Sequence, residues 1–301
     1  MMGTDYCTDP HLREPEGYLG ICNRDCSNCG RMGAEFESKI VDEQKIPSVE
    51  FVGILGGMGP LATLDLLKKI ADQTEGDRDQ DHIPMIVLAD PSTPDRTASI
   101  LDENAPSSLP FILSAIEKLN RSGASVIAMP CNTAHHWLAE IREISKAPIL
   151  NMVELTCRHI TGMLPRGSVV GILGTQGTIS AGIYQHGLSE VGLQSIVPSE
   201  SACAGVSNAI DAVKANRVDE GKEALSLALT ELADAGAAAS VLACTELPLI
   251  WDLIAASATV DMHVVDPTAI LARECLRAGE ELRLKNRSRF STDCSHGLGE
   301  R

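Results

Sequence analysis

The sequence has few aromatic side chains, and few basic residues relative to its acidic ones. Aromatic residues make up 3% of the 301 positions, so any hydrophobic core must be built mainly from aliphatic side chains and alanine. The 25 Lys and Arg residues face 41 Asp and Glu residues, which gives a formal net charge of −16 at pH 7. A nucleic acid or an anionic membrane surface would be repelled by this charge, so we expect neither as a partner.

Long apolar runs are also missing. No stretch approaches the roughly 18 consecutive apolar residues that a membrane-spanning helix needs. The first residues are acidic and polar and do not follow a signal-peptide or transit-peptide pattern. We therefore expect a cytoplasmic protein, whose ten cysteines are reduced thiols rather than disulfides.

Both ends of the chain differ in composition from its middle. Residues 1–48 are rich in charge, glycine and cysteine, with little apolar periodicity, and are predicted to be a flexible N-terminal extension. Cys22, Cys26 and Cys29 have a spacing seen in iron–sulfur loops, and Cys7 is available as a fourth ligand. Because no strand precedes them, a flexible tail is favoured over a metal site. Residues 286–301 are predicted to be a second polar tail.

Between these ends, short apolar segments alternate with segments of helical periodicity. Strands are predicted over residues 51–55, 84–89, 124–128 and 148–153, with helices between them. This alternation indicates β-α-β units and a parallel sheet, in which the loops that follow the strands meet at one edge.

The second half repeats the first at an offset of about 115 residues, which indicates an internal duplication. Residues 51–57 return as residues 169–175, and Cys131 and Cys244 each follow the third strand of their half. We therefore predict two similar α/β domains, residues 49–160 and 161–266, each with a parallel sheet of about four strands. A pseudo-two-fold axis would relate them, the active site would lie in the cleft between them, and a helix over residues 267–285 can pack back onto the first.

Cys131 and Cys244 are the strongest candidates for catalysis. Cys131 lies in a strand-to-helix turn, where free backbone N–H groups and the helix dipole favour a thiolate. Two such cysteines facing one cleft can invert a carbon centre, because one thiolate removes a proton and the other thiol returns a proton to the opposite face. No pyridoxal signature is evident, so backbone N–H groups and hydroxyls would have to stabilise the carbanion.

Other noticeable residues have simpler interpretations. Cys157, Cys203 and Cys275 stand among apolar or small neighbours and are most simply buried filling residues. His135 and His136 can be ordinary core or surface residues as readily as acids, and for His136 the ordinary interpretation is favoured.

Four ordered motifs resemble the cofactor-independent aspartate/glutamate racemase superfamily, and most closely its aspartate racemase branch. They are GILGGMGP at residues 53–60, PDRT at 94–97, PCNTAH at 130–135 and CTEL at 244–247. In glutamate racemases the second cysteine is followed by Thr-His and the first strand by Asp-Ser. This sequence has Glu246 in place of that histidine and Gly57-Met58 in place of Asp-Ser, which counts against a cell-wall glutamate racemase.

The resemblance implies a role for each matching residue. Cys244 is expected to take the proton from the L-enantiomer and Cys131 from the D-enantiomer. The other matching residues are expected to bind substrate: Asn132, Thr133 and Thr245 at the α-carboxylate and amino group, Arg96 and Lys214 at the side-chain carboxylate, and Met58 in the pocket. We also expect Thr175 and Glu246 to bind substrate. The resemblance also implies a homodimer that uses neither a metal nor pyridoxal phosphate.

The sequence therefore predicts a racemase that interconverts L- and D-aspartate, with glutamate as a second possible substrate. Two alternatives remain open. One is another cysteine-dependent reaction of the superfamily, such as hydantoin racemisation or maleate isomerisation. The other is a thiol or metal sensor that uses the N-terminal cysteines.

Overall fold

Two four-stranded parallel sheets, each flanked by helices, organise the chain. The structure, a computed structural model, describes residues 49–293, with side chains as far as Arg287. The N-terminal extension, with Cys7, Cys22, Cys26 and Cys29, lies outside the described residues, as do residues 294–301.

The first sheet has the strand order β2-β1-β3-β4. Its strands are β1 (Phe51–Gly56), β2 (Met85–Ala89), β3 (Ala124–Ala128) and β4 (Ile149–Leu150). Its helices are α1 (Pro60–Asp72), α2 (Arg96–Leu101), α3 (Leu109–Ser122), α4 (Leu138–Ile144) and α5 (Met152–Thr161), with short 3₁₀ helices at Asp79–Asp81 and Thr133–Trp137.

The second sheet has the equivalent order β6-β5-β7-β8. Its strands are β5 (Val169–Gly174), β6 (Gln194–Ile196), β7 (Ala239–Ala243) and β8 (His263–Val265). The helices are α6 (Gln176–Ser180), α7 (Ile183–Glu190), α8 (Glu200–Lys214), α9 (Lys222–Asp234), α10 (Leu247–Ile254) and α11 (Pro267–Asp293), with a 3₁₀ helix at Val218–Gly221. Every neighbouring strand pair in both sheets is parallel, which confirms the predicted fold class.

Aliphatic side chains fill the cores on both faces of each sheet, as the low aromatic content predicts. Every residue of β1 and of β7 is buried, which is typical of central strands covered by helices on both faces. The C-terminal helix α11 places Leu271, Cys275 and Leu276 against Val52 and Ile54 of β1. Helix α11 therefore completes the core of the first sheet.

An ion-pair cluster connects α1 with the segment between β8 and α11. Lys69 pairs with Asp65 on its own helix, and its Nζ lies 2.9 Å from Asp266 Oδ2. All three side chains are at most 17% exposed. Burial raises the pKa of Asp65, while the hydrogen bond and charge of Lys69 act in the opposite direction. The cluster links an element of the first half to the end of the second.

Two predicted boundaries were wrong. The strand expected over residues 148–153 ends at Leu150, because the Asn151 side chain accepts hydrogen bonds from the N–H groups of Val153 and Glu154 and begins α5 at Met152. The last helix continues to Asp293, beyond the expected start of the polar tail. Asn286 stabilises this extension by exchanging two 2.9 Å hydrogen bonds with the backbone of Glu50.

Between residues 49 and 293, no helix combines the length and the apolar character needed to cross a membrane. Cys157 and Cys275 are buried among aliphatic side chains, as predicted, whereas Cys203 is partly exposed.

Candidate active site

One cavity between the two sheets contains all ten predicted site residues. Its empty volume is about 310 Å³, including the open mouth. It is lined by Met58, Asp95, Arg96, Thr97, Cys131, Asn132, Thr133, Thr175, Lys214, Cys244, Thr245 and Glu246. Asp95 and Thr97 are the two lining residues that the sequence did not assign to the site. The parallel topology explains most of this convergence, because the loops after β1, β2, β3, β5 and β7 all lie at the carboxyl edges of their sheets. Lys214 is different, since it reaches the cavity from the C-terminal end of α8.

The Cys131 thiol combines burial with groups that favour its ionised form. The residue is 5% exposed and follows β3 in the turn that leads to the 3₁₀ helix. Burial raises the pKa of the thiol above its ordinary value, while the Arg96 guanidinium and the Ala134 N–H oppose that shift. Cys131 is therefore a buried thiol with a cation beside it.

The Cys244 thiol has a different neighbour. Its Sγ donates a hydrogen bond of 2.9 Å to Glu246 Oε2, and the two side chains are 6% and 3% exposed. Burial and the adjacent Glu246 carboxylate together hold the pKa of Cys244 well above its ordinary value, with Lys214 acting in the opposite direction. Cys244 is therefore protonated at neutral pH and has a proton acceptor in direct contact.

His135 holds the Cys131 loop in place. Its Nδ1 lies 2.9 Å from the Cys131 carbonyl oxygen, and its Nε2 lies 3.1 Å from the Met152 nitrogen. A neutral ring protonated on Nδ1 satisfies both contacts, and burial lowers the pKa of His135 in agreement with a neutral ring. His136 is exposed, as the ordinary interpretation predicts.

Three threonine hydroxyls join the two halves beside the cavity. Thr133, from the loop after β3, lies 3.0 Å from Thr175 and 2.8 Å from Thr178, measured between the Oγ1 atoms. Thr175 also accepts a hydrogen bond from the Thr178 N–H and so caps α6. Sequence reasoning missed Thr178. The signal that could have found it is the Thr-x-x-Thr spacing at a helix start.

Neither predicted cation is free of protein partners. Arg96 Nη1 donates to the carbonyl oxygens of Thr93 and Pro94, at 3.2 and 3.0 Å. Lys214 Nζ lies 3.3 Å from Asp211 and 3.8 Å from Asp95, and its side chain is 35% exposed. A substrate carboxylate would therefore use the remaining guanidinium nitrogens of Arg96 and compete with Asp95 for Lys214.

The loop after β1 is shaped by Thr63 on α1. The Thr63 hydroxyl accepts a hydrogen bond from the Gly57 N–H and donates one to the Gly59 carbonyl, both at 2.9 Å. This pair of bonds fixes the loop that carries Met58 into the cavity. A Cβ at Gly59 would lie 2.9 Å from Glu246 Oε1, so a larger residue here would have to displace the carboxylate that contacts Cys244.

The part of the chain that the structure describes contains no cluster of three or more His, Cys, Asp or Glu side chains with metal-binding geometry. What the cavity does contain is one thiol from the loop after a central strand of each sheet, hydroxyls from both halves, and two cationic side chains in its lining. This set can transfer protons at a carbon atom next to a carboxylate.

Racemases from other organisms are similar to this chain in sequence. The RacX broad-specificity amino-acid racemase of Bacillus subtilis is 30% identical over 226 residues, covering 74% of this chain and 95% of that protein. The glutamate racemase of Corynebacterium diphtheriae is 30% identical over 142 residues, covering 46% of this chain and 51% of that protein.

A solved structure agrees with these relatives. That of the Picrophilus torridus aspartate racemase matches with a TM-score of 0.67 and 31% identity, covering 79% of this chain and 99% of that chain. The sequence pattern of one family, described as Asp/Glu/hydantoin racemase, matches residues 55–275. The chain therefore belongs to the Asp/Glu/hydantoin racemase family, which is a family of isomerases.

Proposed function

We propose that the protein interconverts L- and D-aspartate, and also accepts glutamate, by a two-base mechanism that needs neither pyridoxal phosphate nor a metal. The observation that carries this proposal is the presence of Cys131 and Cys244 in one cavity, each after the equivalent strand of its sheet. A thiol on either side of a bound amino acid can reach opposite faces of its Cα atom.

The proposed reaction balances its protons through Glu246. For L-aspartate, the Cys244 proton passes to Glu246, and the resulting thiolate removes the Cα proton. The Cys131 thiol then donates its own proton to the opposite face, which yields D-aspartate and leaves Cys131 as a thiolate. In the reverse direction the Cys131 thiolate removes the Cα proton, the Cys244 thiol donates one to the opposite face, and Glu246 returns its proton to the Cys244 thiolate. Asn132, Thr133 and Thr245 hold the α-carboxylate and amino group while negative charge develops.

Selectivity for a dicarboxylate would come from Arg96 and Lys214. Arg96 offers a planar donor set at the cavity, and Lys214 adds a second positive charge. Asp95 also lines the cavity 3.8 Å from Lys214 and reduces the net positive charge that a substrate side chain meets. For that reason, and because RacX is named for broad specificity, wider amino-acid racemisation is the second candidate function. Hydantoin racemisation and maleate isomerisation are further alternatives, and the protein can be assayed with those substrates in the same way.

We further propose a cytoplasmic homodimer that forms through β2. This strand is at one end of the first sheet, pairs only with β1 among the described residues, and exposes 37% of Ile86 and 39% of Val87. Light scattering of the wild type and of Val87→Lys tests the interface. A dimer that becomes a monomer supports the proposal, and a monomeric wild type or a dimeric variant contradicts it.

Proton NMR of L-aspartate in deuterated water, with dialysed protein free of metal and pyridoxal phosphate, tests the function. We expect loss of the Cα proton signal and appearance of D-aspartate in a chiral assay. Net inversion should disappear in both Cys131→Ala and Cys244→Ala and persist in the matched control Cys203→Ala. No exchange with aspartate, but exchange with other amino acids, would move the assignment to broad specificity. Inversion that survives either cavity substitution would contradict the two-base mechanism.

A further inference from the structure

Tyr184 on α7 is fully buried and bonded to a residue of the opposite half of the molecule. Its hydroxyl lies 2.6 Å from Asn132 Oδ1, across the boundary between the second sheet's helices and the loop after β3. The ring packs in the core of the second sheet against Ile172 and Cys157. A buried hydroxyl needs hydrogen-bond partners. Here its proton goes to a residue of the catalytic cavity, and the Thr156 side chain is a second hydrogen-bonding neighbour of the phenol.

The bond leaves the other end of the Asn132 amide unpaired. Asn132 is 2% exposed, and among the described residues its Nδ2 atom has no hydrogen-bond partner. Unsatisfied buried donors are rare in native proteins and cost free energy unless a ligand or water pairs with them. Because Asn132 lines the cavity that also contains both thiols, an anionic group bound there would complete its hydrogen bonding.

The phenol determines which end of the amide is available. Burial holds the pKa of Tyr184 well above its ordinary value, so the phenol keeps its proton and needs an acceptor. Rotation of the amide by half a turn would put the Nδ2 hydrogens against the phenol. It would also direct Oδ1 toward the substrate, where an oxygen would repel a carboxylate.

We propose that Tyr184 is a positioning residue that fixes the Asn132 amide with its NH₂ group directed at the α-carboxylate of the substrate. This inference rests on the proposed amino-acid racemase function. Tyr184 itself does not touch the substrate. It acts from the second half of the molecule on a binding group contributed by the first.

Tyr184→Phe removes only the hydroxyl and tests the proposal. We expect KM for aspartate to rise about tenfold with kcat changed less than about twofold, because binding is lost equally in the ground and transition states. The matched control is Ile172→Val, which removes one methylene from the same core and should leave KM unchanged. An unchanged KM in Tyr184→Phe would overturn the inference.

A double-mutant cycle separates positioning from simple stabilisation. If Tyr184 acts through the amide, Tyr184→Phe should add less than about a twofold change to KM in an Asn132→Ala background. Independent, multiplying effects of the two substitutions would contradict the inference.

If Tyr184→Phe does not fold, the wild-type protein still decides. The side-chain ¹⁵NH₂ signals of Asn132, assigned by their absence in Asn132→Ala, should shift when aspartate is added. Signals that stay in place while aspartate is turned over would refute the proposed contact. A wild type that racemises no amino acid would instead refute the proposed function, so the two failures are distinguishable.

Discussion

Cys244 donates a hydrogen bond to Glu246 over 2.9 Å, although both side chains are almost completely buried. A buried thiol in contact with a carboxylate has a route for its proton that does not require bulk water. Among the described residues, no carboxylate is hydrogen-bonded to Cys131, and its hydrogen-bonding side-chain neighbour is the Arg96 guanidinium. The two proposed bases therefore occupy equivalent places in the repeat, but one contacts a carboxylate and the other a guanidinium.

Glu246→Gln should lower kcat/KM for aspartate by roughly a hundredfold, because the amide cannot accept the Cys244 proton. The loss should be equal for both enantiomers, since the equilibrium constant between them is one. A chiral assay of initial rates measures it. Glu143→Gln, which changes an exposed glutamate on α4, should retain wild-type rates. Activity of Glu246→Gln within about twofold of wild type would exclude a proton-accepting role.

The rate should increase with pH above neutrality. Burial raises the pKa of both Cys131 and Cys244, so the thiolate formed by loss of a proton to solvent, which adds to that formed through Glu246, is scarcer at pH 7 than at pH 9. We expect kcat/KM to rise between about pH 6.5 and pH 9, and then to fall once the donor thiol also ionises. Arg96→Met should move the rise to higher pH, because it removes the cation beside Cys131. A profile controlled by one group near pH 6.5 would point to a histidine instead.

Lys214→Met should reduce aspartate turnover much more than alanine turnover. Lys214 lies at the cavity where a side-chain carboxylate would bind, and alanine has no such group. We expect KM for aspartate to rise about ten- to a hundredfold, the usual range for a charged hydrogen bond, with alanine changed less than about threefold. Lys222→Met is the matched control, because this partly exposed lysine at the start of α9 pairs with Asp219 of the preceding 3₁₀ helix and does not line the cavity. Equal losses with both substrates would remove Lys214 from side-chain recognition.

Alkylation should inactivate the enzyme through the cavity thiols. We expect iodoacetamide to modify Cys131 and Cys244 in parallel with the loss of activity, and aspartate to protect both. Cys157 and Cys275 should stay unmodified in the folded protein, because they are buried in aliphatic clusters and do not line the cavity that holds Cys131 and Cys244. Peptide mass spectrometry follows each site separately. Full activity after both cavity thiols are blocked would contradict their proposed role.

Gly177→Ala should impair catalysis by separating two elements that line the cavity. A Cβ at Gly177 would lie 2.8 Å from the Thr97 Cα atom, so α2 and α6 must move apart to accept it. This movement would displace Arg96 relative to Thr175 and lower kcat/KM by about tenfold or more. Gly205→Ala is the control, because its Cβ would make an ordinary contact of 3.5 Å with Ala224. Equal activity of the two variants would show that this contact is not needed.

Much of the fold was predictable from the alternation of strand-like and helix-like segments and from the duplication of the two halves of the chain. The pattern around Phe51 and Val169 indicated two equivalent sheets, and the position of Cys131 and Cys244 after the third strand of each half predicted that they meet at one edge. These inferences rely on local periodicity and on the geometry of parallel sheets, and both are expressed in short stretches of sequence.

Contacts between distant residues were not predictable. Tyr184 and Asn132 are 52 residues apart, and their hydrogen bond depends on how the two halves pack. Asp95 and Thr97 enter the cavity through the orientation of α2, which the motif does not specify. The start of α5 was missed for a different reason. Apolar Met152 and Val153 continue a strand-like pattern, and only the capping by Asn151 turns it into a helix.

The unequal surroundings of the two sulfur atoms have a consequence for turnover. Mirror-image amino acids have equal free energies, so the asymmetry cannot favour either one in the final mixture. It acts on the empty enzyme instead. Under the proposed chemistry, each conversion starts from one arrangement of protons and ends in the other, and the enzyme must relax before it can repeat the same conversion. Glu246 and Arg96 determine which protonation state of the free enzyme predominates. For a short time after each turnover, the protonation state of the two thiols therefore still depends on which enantiomer was last released.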